Sequence, residues 1–272
     1  MAQNSNVSGK SKLPIYANIV GWGMYVPDNK LTNRDLEAIL ETSDEWIQSR
    51  TGIHERRIAG ERETTSMIGL KAAQQALEVT RLLPSELDMI IVATCTPDNA
   101  FPSTASLIQH WLGANKASAF DLSAACSGFV YAVNMGTQAI RSGSIKTALI
   151  IGAETMSRVM DWSDRSTSIL FGDGAGAIVL QASHDEGGVL SSVLRSDGAG
   201  YDLLGLPMME SPYNNGHKLN KLFMIGGEVF KFATRVINES VTQAVYEAGI
   251  TLNDVALIIP HQANDRIITA AA

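Results

Sequence analysis

Three observations predict an α/β fold made of two similar halves. Strand-like and helix-like stretches alternate from Ile15 onward, the pattern of sheet and helix layers packed together. The segment Leu83-Pro-Ser-Glu-Leu-Asp-Met-Ile-Ile91 is echoed 168 positions later by Thr251-Leu-Asn-Asp-Val-Ala-Leu-Ile-Ile259, and each copy follows an amphipathic helical pattern, over residues 65–79 and 227–248. A repeat of that period implies two related units packed on one another. A chain of 272 residues with 45% hydrophobic side chains can also bury the large core such an arrangement needs.

The elements follow in chain order. Residues 1–14 are polar and read as a flexible tail ahead of a first half over residues 15–185. Within that half, apolar periodicity predicts the helix over 65–79, a strand over 89–94 and a helix over 103–112 that a proline starts. A strand over 117–122 leads into a helix beginning on Cys126, along which Phe129, Val133, Ala139 and Ile140 recur near the helical period; strands over 147–152 and 176–180 follow. Residues 198–227 are dense in glycine, proline and asparagine with little periodicity, and so long a connection reads as a lid or pocket wall. The second half, residues 186–272, continues with the helix over 227–248, an apolar strand over 255–260 and the start of a helix over 265–272. There the pattern stops, short of the elements that complete the first half.

Composition narrows the function classes. A formal net charge of −7 with no basic run argues against nucleic acid as a partner. No apolar stretch approaches the ~20 residues needed to span a bilayer, and the N-terminal segment has no apolar signal core, which points to the cytoplasm and away from membranes. Two cysteines make neither a disulfide framework nor a metal-ligand spacing. Cys95, at the end of a strand pattern, is assigned to the core or its edge.

Cys126 is different. In Asp121-Leu-Ser-Ala-Ala-Cys-Ser-Gly-Phe-Val130 a strand stops, two alanines make a tight corner and a helix begins on the cysteine. Unpaired N–H groups and the positive end of the helix dipole favour thiolate there, and the small neighbours leave room for a second molecule. A lone cysteine is otherwise a small core hydrophobe. His261 is the second candidate. It stands at the carboxyl end of Val255-Ala-Leu-Ile-Ile-Pro-His-Gln-Ala-Asn264, the edge where ligands gather in α/β folds, so it fits a base, an acid or an oxyanion donor as well as a structural role.

Four blocks together resemble the β-ketoacyl-acyl carrier protein synthase III family of the thiolase superfamily: Thr42-Ser-Asp-Glu-Trp-Ile-Gln-Ser-Arg-Thr-Gly-Ile53, the cysteine run, Phe171-Gly-Asp-Gly-Ala-Gly-Ala177 and His261-Gln-Ala-Asn264. The resemblance implies thiolase-like duplicated halves in a layered αβαβα architecture, the second half incomplete, and an acyltransferase that initiates dissociated fatty acid synthesis. It implies catalytic Cys126 and His261, with a third catalytic residue, an asparagine, in a segment that would follow residue 272. It also implies coenzyme A contacts at Trp46, Arg50, Arg165, Met224, Gly226 and Asn264, although Gly227 stands where relatives often have asparagine. Phe101 and Phe171 would shape the primer pocket, Phe101 by reaching across a homodimer. Lys231, Arg235 and Arg266 would dock an acidic acyl carrier protein. The implied partners are acyl-CoA and malonyl-acyl carrier protein, both substrates; no cofactor is implied.

Other readings stay open. Without the resemblance, Arg50 and Arg165 are surface ion-pair partners, and Lys231 with Arg235 is a solvated helix face. The glycine run is not a dinucleotide loop, since it leads into a strand pattern rather than opening a helix; it serves close packing. Rival functions are a related ketosynthase of polyketide or secondary-metabolite synthesis, a cysteine hydrolase, and a carrier-protein binder without catalysis.

Overall fold

The computed structural model describes residues 14–272, so all of the expected tail except Pro14 lies outside the described residues. Strand β1 (Tyr16–Tyr25) is followed by the short pair β2 (Lys30–Thr32) and β3 (Glu55–Arg57), between which run α1 (Asn33–Glu37) and α2 (Asp44–Thr51). Then come α3 (Thr65–Thr80), β4 (Met89–Ala93), α4 (Thr104–Leu112), β5 (Ser118–Leu122), α5 (Gly128–Arg141) and β6 (Thr147–Thr155). The chain continues through α6 (Arg165–Ser168), β7 (Asp173–Ser183), the two-residue strands β8 (Leu204–Gly205) and β9 (Phe223–Met224), α7 (Gly226–Glu247) and α8 (Asp265–Ala271). No helix among the described residues is long and apolar enough to cross a membrane.

Five strands form one mixed sheet in the order β1-β7-β6-β4-β5, with β4 parallel to both β5 and β6, and β7 antiparallel to β6 and β1. Successive strand residues face opposite ways, so a strand covered on both sides must be apolar throughout. Ile90 and Val92 of β4 with Leu149 and Ile151 of β6 enter one core with Ile68, Ala72 and Ala76 of α3. Their neighbours Ile91, Ala93, Ala148 and Ile150 enter a second core with Ala132 and Ile140 of α5. The parallel arrangement brings the carboxyl ends of β4, β5 and β6 to one edge of the sheet.

Helix α3 lies close on β1. A Cβ on Gly23 would stand 2.3 Å from the Ala72 carbonyl oxygen and 2.6 Å from the Ala76 nitrogen, and helix backbone cannot move aside locally. Gly23→Ala is therefore expected to cost about 2–3 kcal/mol, the upper range for overpacking, read as a lowered midpoint in chemical denaturation.

The repeat is real at the level of the turn. In both copies the chain makes a 3-10 turn, Pro84–Glu86 and Leu252–Asp254, whose third residue reaches back to the cap. Glu86 accepts from the Leu83 N–H at 2.8 Å, and Asp254 accepts from the Thr251 N–H at 2.9 Å. The continuation differs. The first copy runs into β4, whereas the expected strand over 255–260 forms no strand and has no ladder partner among the described residues. An apolar run becomes a strand only beside another strand, and no described strand lies next to this one; Leu257 and Ile259 are 73% and 77% exposed. The glycine run after Phe171 also departs from expectation, because from Asp173 it already belongs to β7. Close packing applies to Gly172, whose Cβ would stand 3.0 Å from the Arg57 carbonyl oxygen, but not to Gly176, which has open space.

Candidate active site

Cys126 occupies a single 3-10 turn, Ala125–Ser127, between β5 and α5. The corner is tight as expected: Ala125 holds a left-handed φ of 46°, a conformation that residues with a Cβ seldom adopt. The turn's two hydrogen bonds run from Ser127 N–H to the Ala124 carbonyl and from Gly128 N–H to the Ala125 carbonyl, which leaves the Cys126 N–H out of both. Cys126 is exposed, so a second molecule can reach it.

The expectation of a favoured thiolate is corrected. Although the residue meets solvent, protein packed around the sulfur desolvates it, and the negative charge of Glu154 adds to that effect. Together they outweigh the residue's own N–H and raise the thiol pKa. Cys126 stands two residues ahead of α5, in the 3-10 turn, instead of in the helix's first turn, which weakens the helix contribution. Cys95 stands just beyond the end of β4. Its thiol is pushed up to about 11, first by burial and then by Glu154.

Glu154 is the residue that the sequence reading missed. Its carboxylate accepts the Cys95 N–H at 2.7 Å, the Thr96 hydroxyl at 2.5 Å and, more weakly, the Thr94 hydroxyl at 3.4 Å. Thr96 Oγ1 in turn accepts the Thr155 N–H at 2.9 Å, and Thr65 donates to the Thr96 carbonyl at 2.6 Å. A signal existed: a lone carboxylate near the end of an otherwise apolar strand. Beside this network a cavity of about 480 Å³ opens at the ends of β4 and β6, with Cys95, Thr96, Thr155, Val159, Leu206 and Met208 in its walls.

His261 follows Pro260 and precedes Asn264, whose side chain accepts the Arg266 N–H at 2.9 Å and so caps α8. The residue meets solvent, yet protein packed around the ring desolvates it and lowers the imidazole pKa, which favours the neutral form. No hydrogen bond joins His261 to Cys126 among the described residues.

The nucleotide-site candidates do come together. Arg165 Cζ lies 4.6 Å and Arg50 Cζ 5.9 Å from the centroid of the Trp46 ring, with Arg165 also donating to the Glu41 carbonyl at 2.7 Å. Neither arginine forms an ion pair among the described residues, so the surface salt-bridge reading is not realised. The end of α2 meets α8: a Cβ on Gly52 would stand 2.8 Å from the Asp265 Cβ, which places the helix capped by Asn264 against the helix that carries Trp46 and Arg50. Met224 lies on β9, and Gly226 opens α7 with the Met224 methyl 3.6 Å from where its Cβ would be.

The basic group is less free. Lys231 pairs with Glu228 at 2.8 Å and Arg235 with Glu239 at 3.7 Å, both along α7, while Arg266 of α8 sits 6.0 Å from the Phe230 ring centroid. Lys231 and Arg235 border a groove of about 590 Å³ that Gly200, Leu203 and Leu204 close from the other side. The 198–227 segment thus walls both this groove and the cavity near Cys95, as its reading as a pocket wall requires. Phe101 is 86% exposed, whereas Phe171 is half-buried ahead of β7; the structure does not bring them to a common pocket wall.

Known proteins resemble this chain in sequence and in fold. Residues 120–198, which span Cys126, Glu154 and β7, match the family model described as 3-oxoacyl-[acyl-carrier-protein (ACP)] synthase III. The chain is 48% identical to the β-ketoacyl-[acyl-carrier-protein] synthase III of Roseiflexus sp. strain RS-1, covering 94% of this chain and 80% of that protein. The crystal structure of the Aquifex aeolicus 3-oxoacyl-[acyl-carrier-protein] synthase III superposes with a TM-score of 0.88 at 48% identity, over 94% of this chain and 80% of that one. The priming β-ketosynthase of the R1128 polyketide pathway superposes with a TM-score of 0.87 at 35% identity, over 95% and 78%. The thiolase-like fold and the identity across most of both chains mean that this protein belongs to the β-ketoacyl-[acyl-carrier-protein] synthase III family.

Proposed function

We propose that the chain carries out the initiating condensation of fatty acid synthesis with Cys126 as its nucleophile. The carrying observation is the exposed sulfur in a strained corner between β5 and α5, in a chain 48% identical to synthases of this name. In the first step Cys126 attacks the carbonyl of an acyl-CoA. The carbon–sulfur bond to coenzyme A breaks, and the cysteine proton ends on the departing thiol. In this reading the Cys126 N–H, which neither hydrogen bond of its turn uses, receives the developing oxyanion. In the second step malonyl-acyl carrier protein loses carbon dioxide, and its enolate attacks the acyl group. The carbon–carbon bond forms, the bond to Cys126 breaks, and 3-oxoacyl-acyl carrier protein leaves.

Neutral His261 donates to the thioester oxygen as the enolate forms. Trp46, Arg50 and Arg165 hold the nucleotide end of coenzyme A by stacking and phosphate pairing, with Met224, Gly226 and Asn264 along the thioester arm. Phe101 and Phe171 bound the primer, Phe101 from the partner copy of a cytoplasmic homodimer. Arg266, together with Lys231 and Arg235 released from their intrahelical acids, receives the acidic carrier protein. The two units in this reading are residues 15–185 with the cysteine and 186–272 with the histidine.

Product analysis tests the reading. Acyl-CoAs of different length and branching, each with malonyl-acyl carrier protein, should give a 3-oxoacyl product two carbons longer than the primer; release of free acid alone would point to a hydrolase. The likeness to a polyketide priming synthase supports one alternative, and a preference for a primer that fatty acid synthesis does not use would favour it. In the same assay, Arg165→Ala and Trp46→Ala should raise KM for acyl-CoA about three- to thirty-fold with little change in kcat, since cation–π stacking is worth about 0.5–2 kcal/mol.

A further inference from the structure

We propose that Glu154 is a positioning residue for the condensation: its carboxylate ties down the chain leaving β4 and sets a negative charge among the strand ends that carry the Cys126 corner. The inference rests on Cys126 being the nucleophile. Three donors on consecutive residues, Thr94, Cys95 and Thr96, converge on this one side chain at the end of β6. Those residues leave β4 next to β5, where Thr94 N–H bonds the Leu122 carbonyl at 3.1 Å, and Leu122 leads directly to the cysteine corner. A Cβ on Gly128, two residues past Cys126, would lie 3.2 Å from that of Ala93. The three strand ends β6, β4 and β5 therefore form one rigid platform, and Glu154 is the clamp across it.

The charge is uncompensated. Glu154 makes no ion pair among the described residues, and burial raises its own pKa. Other charged groups around the platform are already engaged. Asp121 of β5 accepts the Thr104 and Ala105 N–H groups, Asp98 accepts from Ser66, and Asp173 of β7 accepts from Ala59 and Ser157. Arg158 donates to the Gly60 and Glu63 carbonyls, and His261 bonds neither Glu154 nor Cys126. Cys95 is the other titratable group in the cluster, and its thiol is pushed still higher. A negative carboxylate disfavours a neighbouring thiolate. Burial first and this carboxylate second hold the Cys126 thiol pKa up, so removing the charge should ease ionisation of the sulfur.

Glu154→Gln keeps the shape and a carbonyl acceptor while it removes the charge. The measurement is the rate of Cys126 alkylation by iodoacetamide from pH 6 to 10, followed by peptide mass so that Cys95 is scored separately. The rate midpoint should move down by about 0.5–1 pH unit. At pH 7.5 the variant should alkylate about two- to three-fold faster, because the gain in thiolate is partly offset by its lower nucleophilicity. Glu154→Ala, also neutral, should move the midpoint the same way and serves if the glutamine variant does not fold. A midpoint unchanged in a folded neutral variant overturns the proposal, even if its Tm falls, since a merely structural clamp would affect stability alone. Alkylation needs neither primer nor carrier protein, so this result is separable from the acylation test of Cys126.

Discussion

Cys126→Ala should abolish the covalent acyl-enzyme and leave the fold intact. The substitution removes one sulfur from a residue that meets solvent, among neighbours Ala124, Ala125, Ser127 and Gly128 that are already small, so the cost should stay below about 1 kcal/mol. The backbone consequence is equally small, because the positive φ belongs to Ala125 and not to the cysteine. Intact mass after incubation with an acyl-CoA is the measurement. The parent protein should gain one acyl group and the variant none, at equal thermal midpoints. Its raised thiol pKa adds a direction: the parent's acylation rate should still be climbing as pH rises past the ordinary thiol range. Acylation that persists in the variant would remove Cys126 from the mechanism.

The second large effect belongs to His261. His261→Ala should retain measurable acylation of Cys126 while malonyl decarboxylation falls by about two to three orders of magnitude, the usual loss when a preorganised donor to a developing negative charge is removed. The separation follows from the step at which the histidine acts. No hydrogen bond joins the imidazole to the sulfur among the described residues, and the proposed donor role belongs to the second step, for which the lowered imidazole pKa favours the neutral ring. Single-turnover measurements of the two steps decide the point. Equal losses in both would make the histidine a general activator of the cysteine and would require a rearranged site.

Legibility in the sequence followed burial. Strands β4 and β6 could be read because both of their faces are covered, which forces an unbroken apolar run, and α4 because Ser103 caps its start and Gly113 its end. The cysteine corner was equally plain, since strand, paired alanines and helix succeed one another without a gap. Harder to read was anything that depends on a neighbour. The segment over 255–260 has the composition of a buried strand, yet composition does not supply a ladder partner. The direction of the Cys126 pKa was misjudged because the helix end is local in sequence, whereas Glu154 lies 28 residues away and meets the site only through the sheet. Buried Arg56 was invisible for the same reason. Its guanidinium bonds the Ile169 carbonyl and the Asn33 side chain, joining segments far apart in the chain, and nothing at position 56 announces that.

The apolar run from Val255 to Pro260 carries a consequence for handling the protein. Its backbone donors and acceptors are not laddered, its side chains Leu257, Ile258 and Ile259 face solvent, and no charged residue interrupts it between Asp254 and His261. Such a segment is a template onto which the same segment of another molecule can add, in register, as a growing intermolecular sheet. Solutions should therefore scatter increasingly with concentration and with time. A lysine at Ile259, on a side chain 77% exposed, should suppress that growth through like-charge repulsion without disturbing either core.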